Sequence, residues 1–337
     1  KEAAENGALI SLSTHLPNFE TMSKEGSSDF SKYGFESSKD LTGNCAQNIL
    51  PGKPYNDLYN KYLDIIVQYA KEMGDTPVIF RPLHENNGGW FWWGSSTTVE
   101  TYKALFRYTV DYLQEHGVHN FIYEYSPNGP IMTEEQYLSR YPGDDYVDLL
   151  GFDYYDDYAE DAKELNESFF ENLDTSCQVI RKLADERGKV PVIAESGVRV
   201  TKASGDSNGL LEEENPITGK DWYNKVNDTA AKNGIAYFLL WANFSNQNFY
   251  VPYLVDTGKC HELGPDFVKF YDSETSVFSD GTNLEAALAK SVSVSGYTEV
   301  SGYMVEPVNF QEILEPTTFT ASVKNAEEVK YKIARVS

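Results

Sequence analysis

The sequence has few cysteines and no long apolar run. Three cysteines, Cys45, Cys177 and Cys260, are scattered over 337 residues. They are too few and too far apart for a disulfide framework or a CxxC metal-binding knuckle. No apolar run is long enough to cross a bilayer, so no membrane insertion is expected. The cysteine pattern leaves the redox compartment open.

Basic residues are also scarce, with 28 Lys and Arg against 52 Asp and Glu and a net charge of −24. Phosphate backbones and anionic lipids repel such a chain, so nucleic acid is not an expected partner. A neutral substrate is compatible with this charge, and so is a simple solubilising role. Aromatic residues, in contrast, make up 14% of the chain. They supply flat rings on which sugars can stack, although large β/α cores use many aromatics too.

A pattern of amphipathic helix, glycine and short apolar strand recurs along the chain. One helix is predicted through Leu58 and Ile65, and Gly74 closes it before a strand that reads Thr-Pro-Val-Ile-Phe. Thr97, with Glu100 three residues later, predicts a capping box at the start of another helix. Six strands are predicted, and they start near Ala8, Pro77, Asn120, Tyr146, Val190 and Ile235.

Alternating strands and helices with nearly continuous apolar strands predict an α/β protein with a parallel sheet covered by helices. The G-x-G-x-x-G turn typical of a doubly wound sheet is absent from the sequence. Polar and aromatic residues follow the carboxyl ends of all six strands, which is where (β/α)8 TIM barrel enzymes place their chemistry. The sequence therefore predicts a (β/α)8 barrel. Residues before Ala8 have room only for the end of a helix, so the first two strands are expected to be absent from this chain.

The pattern changes near Ser291. Short alternating β segments with turn residues between them follow, such as Gly-Tyr-Met-Val and Phe-Thr-Ala-Ser-Val. The segment is short for a complete β-sandwich. We therefore predict two domains, a truncated (β/α)8 catalytic domain over residues 1–290 and the start of an immunoglobulin-like β module over residues 291–337.

The densest chemical signal is the segment Arg81–Gly94, which ends in Gly-Gly-Trp-Phe-Trp-Trp-Gly. His84 and Glu85 suggest zinc, but a helical zinc motif needs a second histidine where Gly88 stands, so neither a metal nor another cofactor is predicted. A carboxylic acid facing indoles that exclude water is suited to general acid catalysis, with Arg81 and His84 orienting it. Four consecutive aromatic residues in a loop are poorly placed for core packing.

A second carboxylate, Glu195, lies in Ala-Glu-Ser-Gly at the end of another strand. Two predicted strands separate it from Glu85, so both carboxylates can reach one bond across a barrel mouth. Retaining glycosidases hold such a pair about 5–5.5 Å apart. This pairing predicts Glu85 as the general acid/base and Glu195 as the nucleophile.

The segment Arg81–Gly94 resembles the acid/base signature of glycoside hydrolase family 26, whose commonest members are endo-β-1,4-mannanases. The resemblance extends to Thr14–Phe19, Gly151–Tyr155 and Leu240–Asn243, and it covers roughly residues 7–280. In that family the acid/base follows the fourth strand and the nucleophile the seventh. The strand that ends at His15 then corresponds to the third, which accounts for the two missing strands.

The resemblance implies roles for further residues. It identifies Glu85 and Glu195 as the catalytic pair, with Tyr155 hydrogen-bonded to the nucleophile and His84 supporting the site. The expected substrate-binding residues are His15, Trp90, Trp93, Asp153 and Trp241. Ala242 stands where some relatives have an arginine, which argues against a strongly glycone-anchored, exo-acting mode.

The expected activity is retaining endo-hydrolysis of β-1,4-mannan, galactomannan or glucomannan, without a cofactor. The expected partners are these polysaccharides and manno-oligosaccharides. Because such polymers cannot cross a cell envelope intact, a secreted or cell-surface location is expected. Within the same family, a β-1,3-xylanase or mixed-linkage β-glucanase is the alternative. From another class, a non-catalytic carbohydrate-binding scaffold is the alternative.

Overall fold

The structure is a computed structural model that describes residues 2–5, 8–159, 166–201, 207–208, 220–243, 250–252, 254–256, 259–260, 263–278, 301–306 and 320–324. The chain forms two compact units, Leu9–Phe267 and a second unit made of Lys1–Ala8 with Val268–Ser337. The predicted domain boundary at residue 290 lies outside the described residues. No helix of the described ranges is long and apolar enough to span a membrane.

The described helices are α1 Glu2–Glu5, α2 Phe19–Lys24, α3 Phe35–Ser38, α4 Cys45–Asn48, α5 Asn56–Met73, α6 Val99–Glu115, α7 Glu134–Leu138, α8 Glu167–Arg187, α9 Trp222–Lys232 and α10 Gly264–Tyr271. The described strands are β1 Ile10–Ser13, β2 Val78–Arg81, β3 Phe121–Tyr125, β4 Leu149–Leu150, β5 Asp153–Ala159, β6 Val190–Pro191, β7 Ile193–Thr201, β8 Ser207–Asn208, β9 Phe238–Leu240, β10 Leu254–Asp256, β11 Lys259–Cys260, β12 Ser301–Glu306 and β13 Thr320–Lys324.

The larger unit is built on parallel strands in chain order. Strands β1, β2, β3, β4 and β6 are hydrogen-bonded in that order, and every pair is parallel. Strand β5 continues the path of β4, and β7 continues that of β6. They pair in parallel with each other, and β9 pairs in parallel with β7. All six predicted strands are therefore present, and the predicted α/β class with a parallel sheet is confirmed.

The strands pack on one another through apolar side chains. Ile79, Leu149 and Val192 are buried together, and Ile122 and Tyr237 pack against them. Burying an aliphatic side chain of this kind stabilises the fold by about 1.5–3 kcal/mol. This core fixes the relative position of the strand ends, and the strand ends carry the candidate site.

Two helix details differ from the sequence-based expectation. The helix predicted through Leu58 and Ile65 forms as α5, but Ile65 is exposed and the buried face is carried by its neighbours at helical spacing, such as Leu63 and Ile66. The N-cap of α6 is Thr98 rather than Thr97, and its hydroxyl accepts a hydrogen bond from the backbone N–H of Thr101 at 3.2 Å. Each difference is a shift of one or two residues along the chain. Local sequence patterns do not locate a helix boundary or a buried helix face more precisely than this.

In the second unit, β12 and β13 form an antiparallel pair with Ser301 opposite Lys324. They correspond to two of the predicted β segments. The rest of the predicted immunoglobulin-like module, residues 291–300, 307–319 and 325–337, lies outside the described residues.

Candidate active site

Glu85 lies just beyond the carboxyl end of β2, in a backbone turn of unusual conformation. Leu83 and Glu85 both have positive φ, of 52° and 51° respectively. A non-glycine residue in this region costs on the order of 1–3 kcal/mol, and it persists only where the surroundings impose it. Here the backbone N–H of Glu85 donates a 2.8 Å hydrogen bond to the carbonyl of Ser126, beyond the end of β3. The neighbouring strand thus helps to hold the half-buried Glu85 in place.

Glu195 lies within β7, directly opposite Asp153 in the register of β5 and β7. Its side chain is nearly fully buried. The Oε1 atom accepts a hydrogen bond from Nη2 of Arg81, and Oε2 accepts a 2.6 Å hydrogen bond from the hydroxyl of Tyr155. The hydrogen bond from Tyr155 to the second carboxylate is the one that the resemblance implied, whereas Arg81, which was expected to orient Glu85, bonds Glu195.

Arg81 is the electrostatic centre of the site. Besides Glu195, its guanidinium donates to Oδ2 of Asp153 at 2.8 Å and to Oγ of Ser126 at 3.1 Å. Burial alone would lower the pKa of Arg81, but the nearby carboxylates, chiefly Asp153 and Glu195, raise it well above its usual value. Arg81 therefore stays charged and compensates the buried carboxylates.

Asp153, which was expected to bind substrate, lies between Arg81 and the catalytic carboxylates. Its side chain is fully buried, and it pairs with Arg81. Burial raises the pKa of Asp153 well above its usual value, an effect that Arg81 opposes and that Glu195 reinforces. The residue lies at the start of β5 and helps to hold Arg81 in place, while its predicted contact with substrate stays a prediction.

Trp90 forms one wall beside Glu85. Its indole Nε1 donates a 2.7 Å hydrogen bond to Oε2 of Glu85, and 40% of the side chain remains exposed. Gly88 allows this arrangement, because a Cβ at that position would lie 2.4 Å from the Trp90 ring. Trp90 is thus accessible to a bound ligand, while its predicted role at the cleaved bond stays a prediction.

Trp93 was also expected to bind substrate, but it is fully buried. Its Nε1 donates to the carbonyl of His84 at 2.8 Å, and its ring stacks on Phe91 at a centroid distance of 4.5 Å. Trp92 is buried as well and donates to the carbonyl of Leu16 at 3.1 Å. The aromatic run therefore serves two purposes, because Trp90 lines the cleft while Trp92 and Trp93 hold the loop against the barrel.

His84 and His15 lie together beside this loop, with ring centroids 5.1 Å apart. Burial lowers the pKa of His84 well below its usual value, and Arg81 and His15 add to the effect. Burial also lowers the pKa of His15. Both imidazoles are therefore neutral near pH 7, and His84 supports the site as an uncharged ring against Phe91.

Trp241 follows β9, and its backbone N–H donates to the carbonyl of Ser196 at 3.0 Å. The side chain is half-buried. This places the residue next to the strand that carries Glu195, while its predicted role under a bound sugar stays a prediction.

Sequence reasoning assigned no role to Ser126, Glu124 and Tyr237. Ser126 bonds both Arg81 and the backbone of Glu85. Glu124 is fully buried, accepts a 3.0 Å hydrogen bond from the hydroxyl of Tyr237, and has its pKa raised to about 7 by burial. The strand end that reads Glu-Tyr-Ser was visible in the sequence, but nothing local indicates which of its side chains turns toward Arg81.

The carboxylates of Glu85, Asp153 and Glu195 each offer an oxygen, and these oxygens all lie within 4.8 Å of one another. Such a spacing can hold a metal ion. In this cluster, however, the Arg81 guanidinium already supplies positive charge to Asp153 and Glu195. The prediction that the site works without a metal stays a prediction. The spacing itself is that of two carboxylates acting on a single glycosidic bond.

Parallel strands with a close carboxylate pair at their carboxyl ends define the class of α/β proteins to which retaining glycosidases belong. The sequence model of glycosyl hydrolase family 26 matches residues 1–233. The chain belongs to this family.

Three similar proteins carry the name of a mannanase. A mannan endo-1,4-beta-mannosidase of Bifidobacterium adolescentis is 33% identical over 98% of this chain, which spans 31% of that protein's length. The catalytic domain of a family 26 endo-beta-1,4-mannanase from Bacillus sp. JAMB-750 is 40% identical, with a TM-score of 0.70 over 82% of this chain and 68% of that one. A modular endo-beta-1,4-mannanase from Cellulomonas fimi is 29% identical, with a TM-score of 0.69 over 96% of this chain and 66% of that one.

The hydrogen bond from Tyr155 to Glu195 gives a first prediction. Tyr155→Phe is expected to lower kcat/KM about 10- to 100-fold, because a hydrogen bond to a charged group contributes about 1.5–3 kcal/mol. The measurement is steady-state hydrolysis of a soluble oligosaccharide substrate.

Tyr154→Phe is the matched control. The Tyr154 ring stacks on Phe169 at 4.8 Å, and its hydroxyl accepts a 3.4 Å hydrogen bond from Asn172, away from Glu195. This variant is expected to stay within about twofold of wild type. Equal losses in both variants would show that the Tyr155 hydroxyl has no special role.

Proposed function

We propose that this protein hydrolyses β-1,4-mannosidic bonds within mannan, galactomannan or glucomannan, with retention of anomeric configuration. The observation that carries the proposal is the approach of the Glu85 and Glu195 carboxylates to within 4.8 Å. Retaining enzymes separate the two carboxyl groups by about 5–5.5 Å, whereas inverting enzymes leave about 6.5–9.5 Å for a water molecule.

The two carboxylates have environments that suit different roles. Glu195 is buried, and Arg81 and Tyr155 hold its two oxygens. Each oxygen keeps a second lone pair for attack. Glu85 is more exposed, and the Trp90 indole holds one of its oxygens. The buried, charge-compensated group suits a nucleophile, and the accessible group suits proton exchange with the leaving sugar and with water.

The reaction proceeds by double displacement. In the first step, Glu195 attacks the anomeric carbon, the glycosidic C–O bond breaks, and Glu85 gives its proton to the departing oxygen. In the second step, Glu85 takes a proton from water, whose oxygen attacks the same carbon and releases Glu195 as a carboxylate. No cofactor takes part in either step.

The mannan backbone as substrate is supported by the relatives named above, which are called mannan endo-1,4-beta-mannosidase and endo-beta-1,4-mannanase. The neutral polysaccharide also suits a chain with a net charge of −24. We further propose a secreted or cell-surface location, because polymers of this size do not enter cells intact. We also propose a (β/α)8 barrel and an immunoglobulin-like module as the architecture.

The substrate is tested by reducing-sugar release from four polymers compared side by side: galactomannan, glucomannan, β-1,3-xylan and barley mixed-linkage β-glucan. We expect kcat/KM to be highest on the two mannans, by about 100-fold or more, because buried polar groups left unpaired by the wrong sugar cost several kcal/mol. NMR of the first-formed product should show the β anomer.

Other outcomes each assign a different function. Cleavage confined to xylan or barley glucan would keep the mechanism and replace the substrate. An α product would contradict the double displacement. Binding of mannan without cleavage of any polymer would overturn the enzyme proposal in favour of a carbohydrate-binding scaffold.

A further inference from the structure

Phe35 is an exposed aromatic residue at the rim of the larger unit. It begins the short helix α3, and 46% of its surface is accessible. Among the Phe and Trp side chains that the structure describes, it shares this degree of exposure with Trp90 alone. Trp90 is explained by its place beside Glu85. Phe35 has no comparable role in the chemistry, and leaving an apolar ring in water brings no stability.

Ring contacts join Phe35 to His15 and Phe91, which lie beside the loop that carries Glu85. Its ring meets the edge of His15 at a centroid distance of 4.6 Å, and His15 in turn contacts His84 at 5.1 Å. Phe35 also contacts Phe91, the neighbour of Trp90, at 6.2 Å. Phe91 also contacts Trp90 at 6.4 Å, so a chain of ring contacts runs from Trp90 beside Glu85, through the buried Phe91, to the exposed Phe35.

The backbone that carries Phe35 is firmly held. The N–H of Trp92 donates to the carbonyl of Ser38 at 3.1 Å, at the end of α3. The N–H of the fully buried Asn18 donates to Oγ of Ser37 at 3.1 Å, and its side chain donates to the carbonyl of Asp40 at 2.8 Å. A ring presented on such a support loses little entropy when a ligand binds to it.

The ammonium of Lys39 lies over the Phe35 ring. Nζ of Lys39 lies 4.1 Å from the centroid of Phe35 and 3.2 Å from a carboxylate oxygen of Glu36, which is largely exposed. Exposed ion pairs and exposed cation–π contacts are weak, so a ligand can displace the ammonium at small cost. Once displaced, Lys39 becomes a hydrogen-bond donor suited to sugar hydroxyls.

We propose that Phe35 is the stacking surface of a remote subsite for a mannosyl unit, on the His15 side of the cleft and beyond the two sugars that flank the cleaved bond. The inference rests on the proposed function, since it takes a β-mannan chain as the ligand. The apolar face of the sugar packs on the ring, and Lys39 meets its hydroxyl groups. Short substrates do not reach this subsite, whereas long ones gain binding energy from it.

The test compares chain lengths. Phe35→Ala is assayed on mannohexaose and on a 2,4-dinitrophenyl β-mannobioside. The kcat/KM for mannohexaose divided by that for the mannobioside is expected to fall about 2- to 12-fold, since one aromatic stacking contact contributes about 0.5–1.5 kcal/mol. Phe35→Trp is expected to preserve the ratio. Leu41→Ala serves as the matched control, because Leu41 is exposed to 48% and follows Phe35 closely in sequence.

Two results would overturn the inference. One is a ratio that Phe35→Ala leaves at the wild-type value, and the other is an equal loss on both substrates, which indicates a structural role. Failure of the proposed function is distinguishable, because wild type then cleaves another polymer or none. If wild type cleaves another polymer, the ratio of kcat/KM values on long and short oligosaccharides of that polymer tests Phe35. If wild type cleaves no polymer, the test is the calorimetric Kd for mannohexaose. A Kd that Phe35→Ala leaves unchanged overturns the subsite, and a Kd that rises supports it.

Discussion

Glu195→Gln is expected to lower kcat on galactomannan by about 10⁵-fold, because it removes the nucleophile on which the covalent route depends. That factor corresponds to about 7 kcal/mol of transition-state stabilisation. The amide keeps the size of the side chain and retains an oxygen that accepts from Arg81 or Tyr155. The measurement is kcat by reducing-sugar release, together with mass spectrometry of the protein incubated with a fluorinated mannoside, which should label wild type alone.

Controls for this variant separate chemistry from stability. Glu171→Gln changes an exposed glutamate on α8 and is expected to keep wild-type activity within about twofold. Thermal unfolding should show that Glu195→Gln is folded at the assay temperature, because Asp153 still compensates Arg81. Retention of more than about a hundredth of wild-type kcat by a sample free of contaminating enzyme would assign the nucleophile to another residue.

Glu85→Ala is expected to lower kcat/KM on galactomannan by about 10²- to 10⁴-fold, the usual contribution of a general acid. With a 2,4-dinitrophenyl β-mannobioside the loss in the first step should be small, because this leaving group departs without a proton. The covalent intermediate then accumulates, since the base that activates water is also missing. A rapid burst of dinitrophenol followed by slow turnover is the expected signature.

Added azide provides the decisive comparison for Glu85. It attacks the anomeric carbon without base assistance, so it should restore turnover of the dinitrophenyl substrate in Glu85→Ala and form a β-mannosyl azide. Wild type should gain nothing from azide. A loss of the same size on both substrates, with no rescue, would indicate that Glu85 binds or positions the sugar without transferring a proton.

Much of this protein is determined by local patterns. Apolar runs separated by amphipathic helices predicted all six strands of the parallel sheet, because strand and helix periodicities are properties of short segments. The chemical candidates Glu85 and Glu195 were also visible, since polar residues that follow buried strands are conspicuous. Their pairing followed from a general rule, that carboxyl ends of parallel strands share one face.

Only the tertiary structure decided how each candidate side chain is used. Arg81 and Glu195 are 114 positions apart in the chain, yet their side chains bond directly. The same packing buries Trp93 and Asp153, both expected to touch substrate, while it leaves Phe35 exposed. Sequence identifies residues able to do chemistry, because their functional groups are known. Which of them face the cleft depends on long-range contacts, and no local pattern encodes those.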